Sequence, residues 1–450
     1  MLSSLLALLI LAQTNSMPPR EIVKSQPVRP LPGTIDRVPV FNSNSPELIL
    51  QPGILLSTFP SSGKAHPQAH LNYPLAGRFD IFAHHVAKAP TPEDLQSLYL
   101  GIILHNPTKK LVTVDILTGA SYLSQPDAPF IRLPPSVKNP LGKVYAGPGS
   151  RVMSDLLRQK RSHLFPDRLS IPPGESRMLL NLPIPVREFQ PPINGRSTYI
   201  RLQSDGKVYA ASLATFAPLD DNGKERKPTQ REWEELLTTS NLAKPRDRAP
   251  TAIGQSGNVI YGRVAGVSLG SQWRANLVDN QTSQVLTVPD RGKAFSYGLS
   301  TLYGGRLGTG QIQSAKMLVR YEDTAYQAHG NYGVQYSLSL PLYNPHSETN
   351  RVNLSLETPI KQDRSDNNLS FLFPPAKQVF FRGTVRIKYS DDRNLPRTEY
   401  FHLVQHKGEI GQPLLTLKIP PQRSKLVYFD LIYPPDATPP QILTVKTLID

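Results

Sequence analysis

Apolar and polar residues alternate in the same way in two separate segments of the chain. In the first, Leu104–Pro107 ends an apolar stretch, and apolar side chains then recur at every second position over Val112–Ile116. In the second, Leu342–Pro345 is followed by the same alternation over Val352–Leu356. A period of two marks a strand with one buried face, and Asn-Pro marks a turn. Each segment therefore predicts a strand, a turn and a second strand.

A further pair of similar segments follows these two units. Ile171–Arg177 and Ile419–Lys425 both begin with Ile-Pro-Pro, include a serine in a polar tip and end on a basic residue before a new strand-like run. The signals occur in the same order and at similar spacing, which indicates a duplication. Short strands with frequent turn signals resemble bacterial immunoglobulin-like sandwiches. We expect an all-β protein with two immunoglobulin-like β-sandwich halves, a few short helices and a charged linker.

Three short helices are predicted. Thr229 and Glu232 have capping-box spacing within a charged stretch. Thr91–Pro92 places a cap residue before a proline at the first helical position, and a third helix is expected over residues 150–161. The predicted organisation is a signal peptide (1–16), a proline-rich N-terminal segment (17–75), a first β-sandwich domain (76–219), a linker with a short helix (220–250), a glycine-rich β segment (251–330) and a second β-sandwich domain (331–450).

Composition supports this picture and narrows the chemistry. Proline accounts for 45 of the 450 residues, about twice its typical share of roughly 5%. Proline removes a backbone donor and clashes inside helices, so its abundance favours short strands joined by rigid turns. The chain has no cysteine. This excludes disulfides, cysteine-ligated zinc, iron–sulfur clusters and a thiol nucleophile.

The chain is basic, with a formal net charge of +15 and a pI of about 9.7. One interpretation is an anionic partner such as an acidic polysaccharide, lipid headgroups or nucleic acid. The other is a dispersed basic surface that confers solubility, since the basic residues are scattered along the chain. The densest cluster, Arg158, Lys160 and Arg161, lacks the interleaved aromatic residues of a nucleic-acid platform. We therefore expect no nucleic-acid partner.

The N-terminus predicts export. Leu5–Ala12 is an apolar run followed by polar residues, and it is shorter than the roughly 20 residues needed to span a bilayer. A secretory signal peptide with cleavage after Ala12 fits this pattern, although no lysine or arginine precedes the run. The alternative is a buried N-terminal strand. We expect no transmembrane segment in the mature chain and a location in the periplasm, in the outer envelope or outside the cell.

No catalytic set is recognised in the sequence. Gly266–Gly270 matches the G-x-S-x-G nucleophile elbow around Ser268, but its flanks lack the strand–helix alternation that this motif needs. His66 and His70 have the spacing of metal ligands on a helix, but Pro67 between them favours a loop. We expect no catalytic residue, no metal ligand and no cofactor.

Aromatic side chains are the main candidates for ligand contacts, because flat apolar faces with polar edges suit sugar rings. Core packing is the alternative role for the same residues. His84 and His85 follow a strand-like run, so their side chains should point to opposite faces, in either a structural or a binding role. The candidate ligand-binding residues are Trp273, Tyr326, His329, Tyr332, His84 and His85.

Six longer strings are specific enough to compare with known families: Phe41–Pro46, Gly77–His85, Ser121–Pro126, Tyr261–Gly266, Tyr326–Gly333 and Tyr433–Pro440. They resemble an uncharacterised family of exported proteins found in cyanobacteria, a domain of unknown function. The resemblance covers nearly the whole mature chain. It implies a Gram-negative photosynthetic host and export, and it supplies no activity and no catalytic residues.

Three functions remain open at this point. The preferred hypothesis is a non-enzymatic protein of the cell envelope or extracellular matrix that binds an anionic glycan or another envelope protein. The second is a polysaccharide-active envelope enzyme, which would need two carboxylates about 5–10 Å apart across a cleft. The third is an accessory factor that donates strands to clients from an unpaired sheet edge.

Overall fold

The regular secondary structure of the described part of the chain consists almost entirely of β-strands. A computed structural model describes residues 18–252, 254–255 and 257–449. Within these ranges the chain forms 26 strands and two α-helices, which confirms the predicted all-β class. Neither helix is long and apolar enough to cross a membrane. The signal peptide expected at residues 1–16 lies outside the described residues.

One long strand, from Ile193 to Phe216, organises the first part of the fold. Its first half pairs with two strands and, after an irregularity between Ser204 and Val208, its second half pairs with two others. This one strand therefore belongs to both groups of strands that surround the hydrophobic core of the first part of the fold. The strands up to this point are β1 (Arg20–Ser25), β2 (Val28–Arg29), β3 (Pro39–Ser43), β4 (Leu48–Ile49), β5 (Gly53–Ser57), β6 (Leu75–Lys88), β7 (Leu98–His105), β8 (Val112–Leu123), β9 (Ser136–Lys138), β10 (Arg168–Ile171), β11 (Ser176–Ile184) and β12 (Ile193–Phe216).

The second part of the fold contains a seven-stranded and a five-stranded sheet. Leu338 and Val385 of the larger sheet pack in the same core as Leu443 of the smaller one. The remaining strands are β13 (Ala265–Leu269), β14 (Gln272–Asn276), β15 (Leu286–Thr287), β16 (Ala294–Leu299), β17 (Ala315–Arg320), β18 (Gln327–Ala328), β19 (Gln335–Tyr343), β20 (Asn350–Glu357), β21 (Asn368–Phe373), β22 (Val379–Ser390), β23 (Pro396–His406), β24 (Leu415–Ile419), β25 (Ser424–Ile432) and β26 (Gln441–Thr447).

Strand pairing joins the two parts directly. From the N-terminal segment, β1 pairs with β21 and β2 pairs with β16. From the glycine-rich segment, β13 pairs with β3 in the twelve-stranded sheet that contains β12. In addition, β9 adds to the seven-stranded sheet by pairing with β23. Backbone hydrogen bonds therefore connect regions that lie far apart in the sequence.

The two helices are α1 (Pro148–Leu157) and α2 (Gln230–Thr239), and a 3₁₀ turn covers Pro67–Ala69. Thr229 caps α2, because its side chain accepts a hydrogen bond from the Glu232 amide while the Glu232 carboxylate accepts one from the Thr229 amide. This is the reciprocal pattern that the sequence spacing predicts.

The prediction of a helix that starts at Thr91–Pro92 is wrong. The Thr91 side chain does accept a hydrogen bond from the Asp94 amide, at 3.2 Å, as a helix cap would. However, the Ser97 amide donates to the Glu225 carboxylate at 3.0 Å, and the chain enters β7 at the next residue. Too few residues remain before the strand for a helix to form.

The repeated sequence signals mark the same arrangement of strands in both parts of the fold. In the first part, β7 pairs with β11 and β8 pairs with β10. In the second part, β19 pairs with β25 and β20 pairs with β24. All four pairings are antiparallel, and Ser176 lies opposite His105 just as Ser424 lies opposite Tyr343.

A buried asparagine holds each of these units together. The Asn106 side-chain amide donates to the carbonyls of Lys110, at 2.6 Å, and Ile171, at 2.8 Å. Its side-chain oxygen accepts from the Thr108 amide at 2.8 Å. The side chain thus closes its own turn and ties that turn to the end of β10. We call this set of contacts the asparagine clamp.

The second asparagine clamp is centred on Asn344. Its amide donates to the carbonyls of Glu348 and Ile419, both at 2.8 Å, and its oxygen accepts from the His346 amide at 3.0 Å. Asn344 is fully buried, as is Asn106. The Asn-Pro and Ile-Pro-Pro signals therefore recur together because the asparagine of the first donates a hydrogen bond to the isoleucine carbonyl of the second.

Replacing Asn344 with alanine should destabilise the protein by about 2–3 kcal/mol, because the buried Ile419 carbonyl, the His346 amide and the side-chain amide of buried Asn350 all lose a hydrogen-bond partner. The free energy of unfolding in urea measures this. Asn222→Ala is the matched control, since Asn222 is exposed, and it should change stability by less than about 0.5 kcal/mol. Equal effects of the two substitutions would show that the clamp does not hold the unit.

Candidate functional site

A groove of about 960 Å³ lies beside α1, next to the end of β8 and the loop of residues 141–145. Its lining is rich in charge, and cations outnumber carboxylates. Five cationic side chains and two carboxylates line it: Lys143, Arg151, Lys160, Arg161, Arg196, Asp127 and Asp155.

Arg196, from the first half of β12, is the most buried of these cations. It is 5% exposed. Its guanidinium donates to the Pro183 carbonyl from Nε, at 3.2 Å, and from Nη2, at 2.8 Å, and to Ser121 Oγ from Nη1, at 3.1 Å. No carboxylate in the described ranges lies within ion-pair distance of it. Burial lowers the pKa of Arg196 to about 10, against the opposing effect of Asp127, so it stays charged at neutral pH.

Arg151, on α1, is held flat by two aromatic rings. The centre of its guanidinium lies 3.9 Å from the ring centroid of Tyr122 and 4.5 Å from that of Tyr145. Nη1 donates to the Asp127 carbonyl at 2.6 Å. Cation–π contacts fix the orientation of the side chain without neutralising its charge. Arg151 also has no ion pair with a carboxylate of the described residues.

Both carboxylates of the groove already have partners. Asp155 accepts from the Tyr122 hydroxyl at 2.7 Å and lies 3.5 Å from Lys160 Nζ. Asp127 accepts from the Leu123 amide at 2.8 Å. Burial, together with Asp155, raises the pKa of Tyr122, so this hydroxyl keeps its proton. The groove therefore carries an excess of positive charge.

The basic cluster seen in the sequence divides between two places. Lys160 and Arg161 line the groove, and Arg161 forms an ion pair with Asp167. Arg158 instead lies over the ring of Tyr400, 3.7 Å from its centroid, and its Nη1 donates to the Pro140 carbonyl at 2.9 Å. It positions the loop that closes one side of the groove.

The six candidate residues from the sequence do not share one site. Three of them line two adjacent cavities away from the groove: Tyr326, His329 and Tyr332. Trp273 belongs to the second core, where it is 5% exposed and its indole N–H donates to the Pro32 carbonyl at 2.8 Å. Its ring has the packing role that the sequence left open.

His84 and His85 point to opposite sides of β6, as the strand pattern predicts. His84 Nδ1 lies 2.7 Å from Ser197 Oγ, and Nε2 lies 3.6 Å from the Glu47 carboxylate. His85 is fully buried, and its two ring nitrogens contact the Pro46 carbonyl at 2.8 Å and Ser43 Oγ at 2.9 Å. Both rings are therefore bound within the protein.

Ser268 does not have the geometry of a nucleophile elbow. It lies inside β13, which pairs with a strand on each side, and it is 2% exposed. A nucleophile elbow instead needs a sharp strand-to-helix turn that exposes the serine. Within the described ranges, no group of three or more histidine and acidic side chains is arranged to hold a metal ion.

Comparison with protein families identifies the family of this chain. The family described as "Protein of unknown function (DUF3370)" matches residues 26–447. The chain belongs to DUF3370. No curated protein matches the sequence. A solved structure described as "Crystal structure of Lac15 from a marine microbial metagenome" aligns with 9% identity over 84% of this chain and 54% of that chain, with a TM-score of 0.10. A score this low carries no argument about fold or function.

Sequence reasoning missed most of the groove of this DUF3370 member. Arg151, Arg196, Tyr122 and Tyr145 are far apart along the chain and meet only in the folded protein. One signal was present, because Arg196 interrupts the strand-like run of β12. A cation in such a run indicates either a buried polar contact or a site.

The His85 ring should make the protein less stable in acid. Burial lowers the pKa of His85 from 6.5 to about 3, so below pH 6.5 the unfolded chain binds a proton that the folded chain excludes. Stability should therefore fall by up to about 1.4 kcal/mol for each pH unit between these two values. His85→Gln should flatten the dependence of unfolding free energy on pH between 7 and 4.5. The exposed, non-titratable Asn222→Ala should leave that slope unchanged, and equal slopes in all three proteins would contradict the assignment.

Proposed function

We propose that this DUF3370 protein binds an acidic polysaccharide of the cell envelope or extracellular matrix, without catalysis, in the groove beside α1. The observation that carries the proposal is Arg196, a buried cation at the groove with no carboxylate partner among the described residues. A buried charge is costly unless it is compensated, so an anionic ligand would stabilise it.

Arg151 adds the second anchor. Because Tyr122 and Tyr145 hold its guanidinium in one plane, little side-chain entropy is lost when it binds an anion. Guanidinium groups suit carboxylate and sulfate because two parallel N–H groups meet two oxygens. The exposed Lys143 lines the same groove. Several cations along one groove match a polymer that carries repeated acidic groups.

The same contacts favour a glycan over nucleic acid. Sequence-independent binding of single strands uses aromatic faces that are open for base stacking. Here Arg151 already covers one face of both Tyr122 and Tyr145. Binding is also favoured over glycoside hydrolysis, because Asp127 and Asp155 are both engaged by donors from the protein.

The location and the finer fold are part of the same proposal. Export from a cyanobacterial cell is supported by the apolar run Leu5–Ala12 and by the family resemblance. Two immunoglobulin-like sandwiches are supported by the repeated strand pairing and by the two asparagine clamps. A protein of this kind would display its groove on the outer side of the inner membrane.

Retention on immobilised alginate, an acidic polysaccharide, tests the proposal. Wild-type protein should bind alginate at low salt, release it as ionic strength rises, and ignore neutral dextran. Arg151→Gln should raise the apparent Kd for alginate about tenfold, as expected for losing one charged hydrogen-bonding group. Arg196→Met should have at least the same effect, with thermal unfolding used to confirm that the variant is folded.

Arg351→Gln is the charge-matched control, because Arg351 is exposed on β20, outside the groove. It should leave alginate binding unchanged. The proposal fails if alginate is not retained at low salt, if single-stranded DNA binds as tightly, or if Arg351→Gln weakens binding as much as Arg151→Gln. Failure to retain any polysaccharide would favour an envelope protein as the partner.

A further inference from the structure

A second cavity, of about 190 Å³, lies where β3 meets the segments of residues 261–264 and 328–332. No residue lines both this cavity and the groove beside α1. Three kinds of side chain meet here: amides from β3 and its extension, aromatic rings, and one lysine. We call it the asparagine–lysine pocket, after Asn42, Asn44 and Lys361.

The two asparagines have unused hydrogen-bonding capacity. Asn42 and Asn44 are each 4% exposed, and neither side-chain amide has a hydrogen-bond partner among the described residues. His329 Nδ1, which belongs to a ring that lines the same cavity, also has no hydrogen-bond partner among the described residues. A buried polar group left without a hydrogen-bond partner destabilises the folded protein. A ligand whose groups both donate and accept would remove this cost, and hydroxyl groups do both.

Lys361 provides an uncompensated positive charge. Its Nζ donates to the Tyr261 hydroxyl and lies 4.1 Å from the centroid of that ring. No carboxylate of the described residues lies within ion-pair distance of Nζ. Asp363, which acts on it from further away, is held by Arg306 at 2.7 Å. By contrast, the other cation of the pocket, Arg263, forms an ion pair with Glu47.

Aromatic rings form flat walls around these polar groups. Tyr261 and His329 have ring centroids 4.8 Å apart, and the Tyr261 hydroxyl donates to the Tyr303 carbonyl at 2.5 Å. Tyr332 also lines the pocket, and its hydroxyl donates to the Ala437 carbonyl at 3.1 Å. Flat apolar faces next to amides suit a sugar ring, which has apolar faces and a polar edge.

Size limits the ligand further. Cavities that hold drug-sized ligands measure about 300–1,000 Å³. At about 190 Å³, this pocket admits a smaller molecule, of the size of one sugar ring.

We infer that the asparagine–lysine pocket binds a single sugar residue that carries an acidic group. Its hydroxyl groups bond to the amides of Asn42 and Asn44, its ring lies against the aromatic walls, and its acidic group faces Lys361 Nζ. This second site does not depend on the groove, because the two share no residue.

Binding of D-glucuronate and D-glucose to the full chain, followed by saturation-transfer NMR and calorimetry, tests the inference. Wild-type protein should bind glucuronate about tenfold more tightly than glucose at pH 7. Lys361→Met, which keeps the length of the side chain but removes its charge, should abolish this preference and leave glucose binding unchanged. Asn44→Leu should weaken both sugars, because each uses the amide.

Lys316→Met is the matched control, since Lys316 is exposed on β17 and does not line the pocket. It should leave both affinities unchanged. The groove variant Arg151→Gln should also leave glucuronate binding intact, which separates failure of the pocket from failure of the groove. Thermal unfolding confirms that each variant is folded.

Raising the pH gives a second readout. Burial lowers the pKa of Lys361 to about 8, with Asp363 opposing this shift, so the ammonium is lost as the pH rises from 7 to 9. The preference for glucuronate over glucose should disappear over the same interval. Two other titratable groups face Lys361 and keep their charge state in this window, because burial raises the pKa of Tyr261 to about 12 and lowers that of His329 to about 4.

Three results would overturn the inference. The first is that neither sugar binds the wild-type protein at concentrations up to about 10 mM. The second is that Lys361→Met keeps the preference for glucuronate. The third is that Arg151→Gln, rather than Lys361→Met, removes glucuronate binding.

Discussion

The packing of α1 between the two parts of the fold determines where the groove can form. Its apolar side chains lie in one cluster with Tyr199 of β12 and Ile432 of β25, and so contact both parts. The Ser150 amide, in the first turn of the helix, donates to the Asp436 carboxylate at 2.9 Å. A carboxylate at this end of a helix interacts favourably with the positive end of the helix dipole. Gly149 lies so close to Pro435 that any side chain would collide with it.

The outward side of α1 carries the chemistry of the groove. Arg151 and Asp155 project from it towards Tyr122, so the position of the helix sets the distances between the two charges and the ring. At the other end, Arg386 donates to the Leu157 carbonyl at 3.1 Å and pairs with Asp430 at 3.0 Å. The second part of the fold thus supports a site whose lining comes from the first.

Local patterns predicted the elements well. Alternation gave the strands, and a capping box gave α2, because both depend on neighbours only a few residues away. The recurring Asn-Pro and Ile-Pro-Pro signals also indicated a repeat. They recur together because the side-chain amides of Asn106 and Asn344 each donate to the carbonyl of the isoleucine in the Ile-Pro-Pro segment. The prediction of a helix at Thr91 was wrong because the strand that follows, β7, is positioned by pairing with strands far along the chain. Local sequence preferences carry no information about that pairing.

The sequence by itself determined the all-β class, the repeated unit and the absence of cysteine chemistry. Only the tertiary structure decided which charges stay uncompensated. In the sequence, Lys361 looks like an ordinary basic residue and Arg196 stands out only as a cation within a strand-like run. The fold buries Arg196 and places Lys361 beside Tyr261, and neither has a carboxylate of the described residues near enough to pair with it. The physical reason is that strand pairing joins residues far apart along the chain, so the neighbours of a charge depend on topology rather than on spacing.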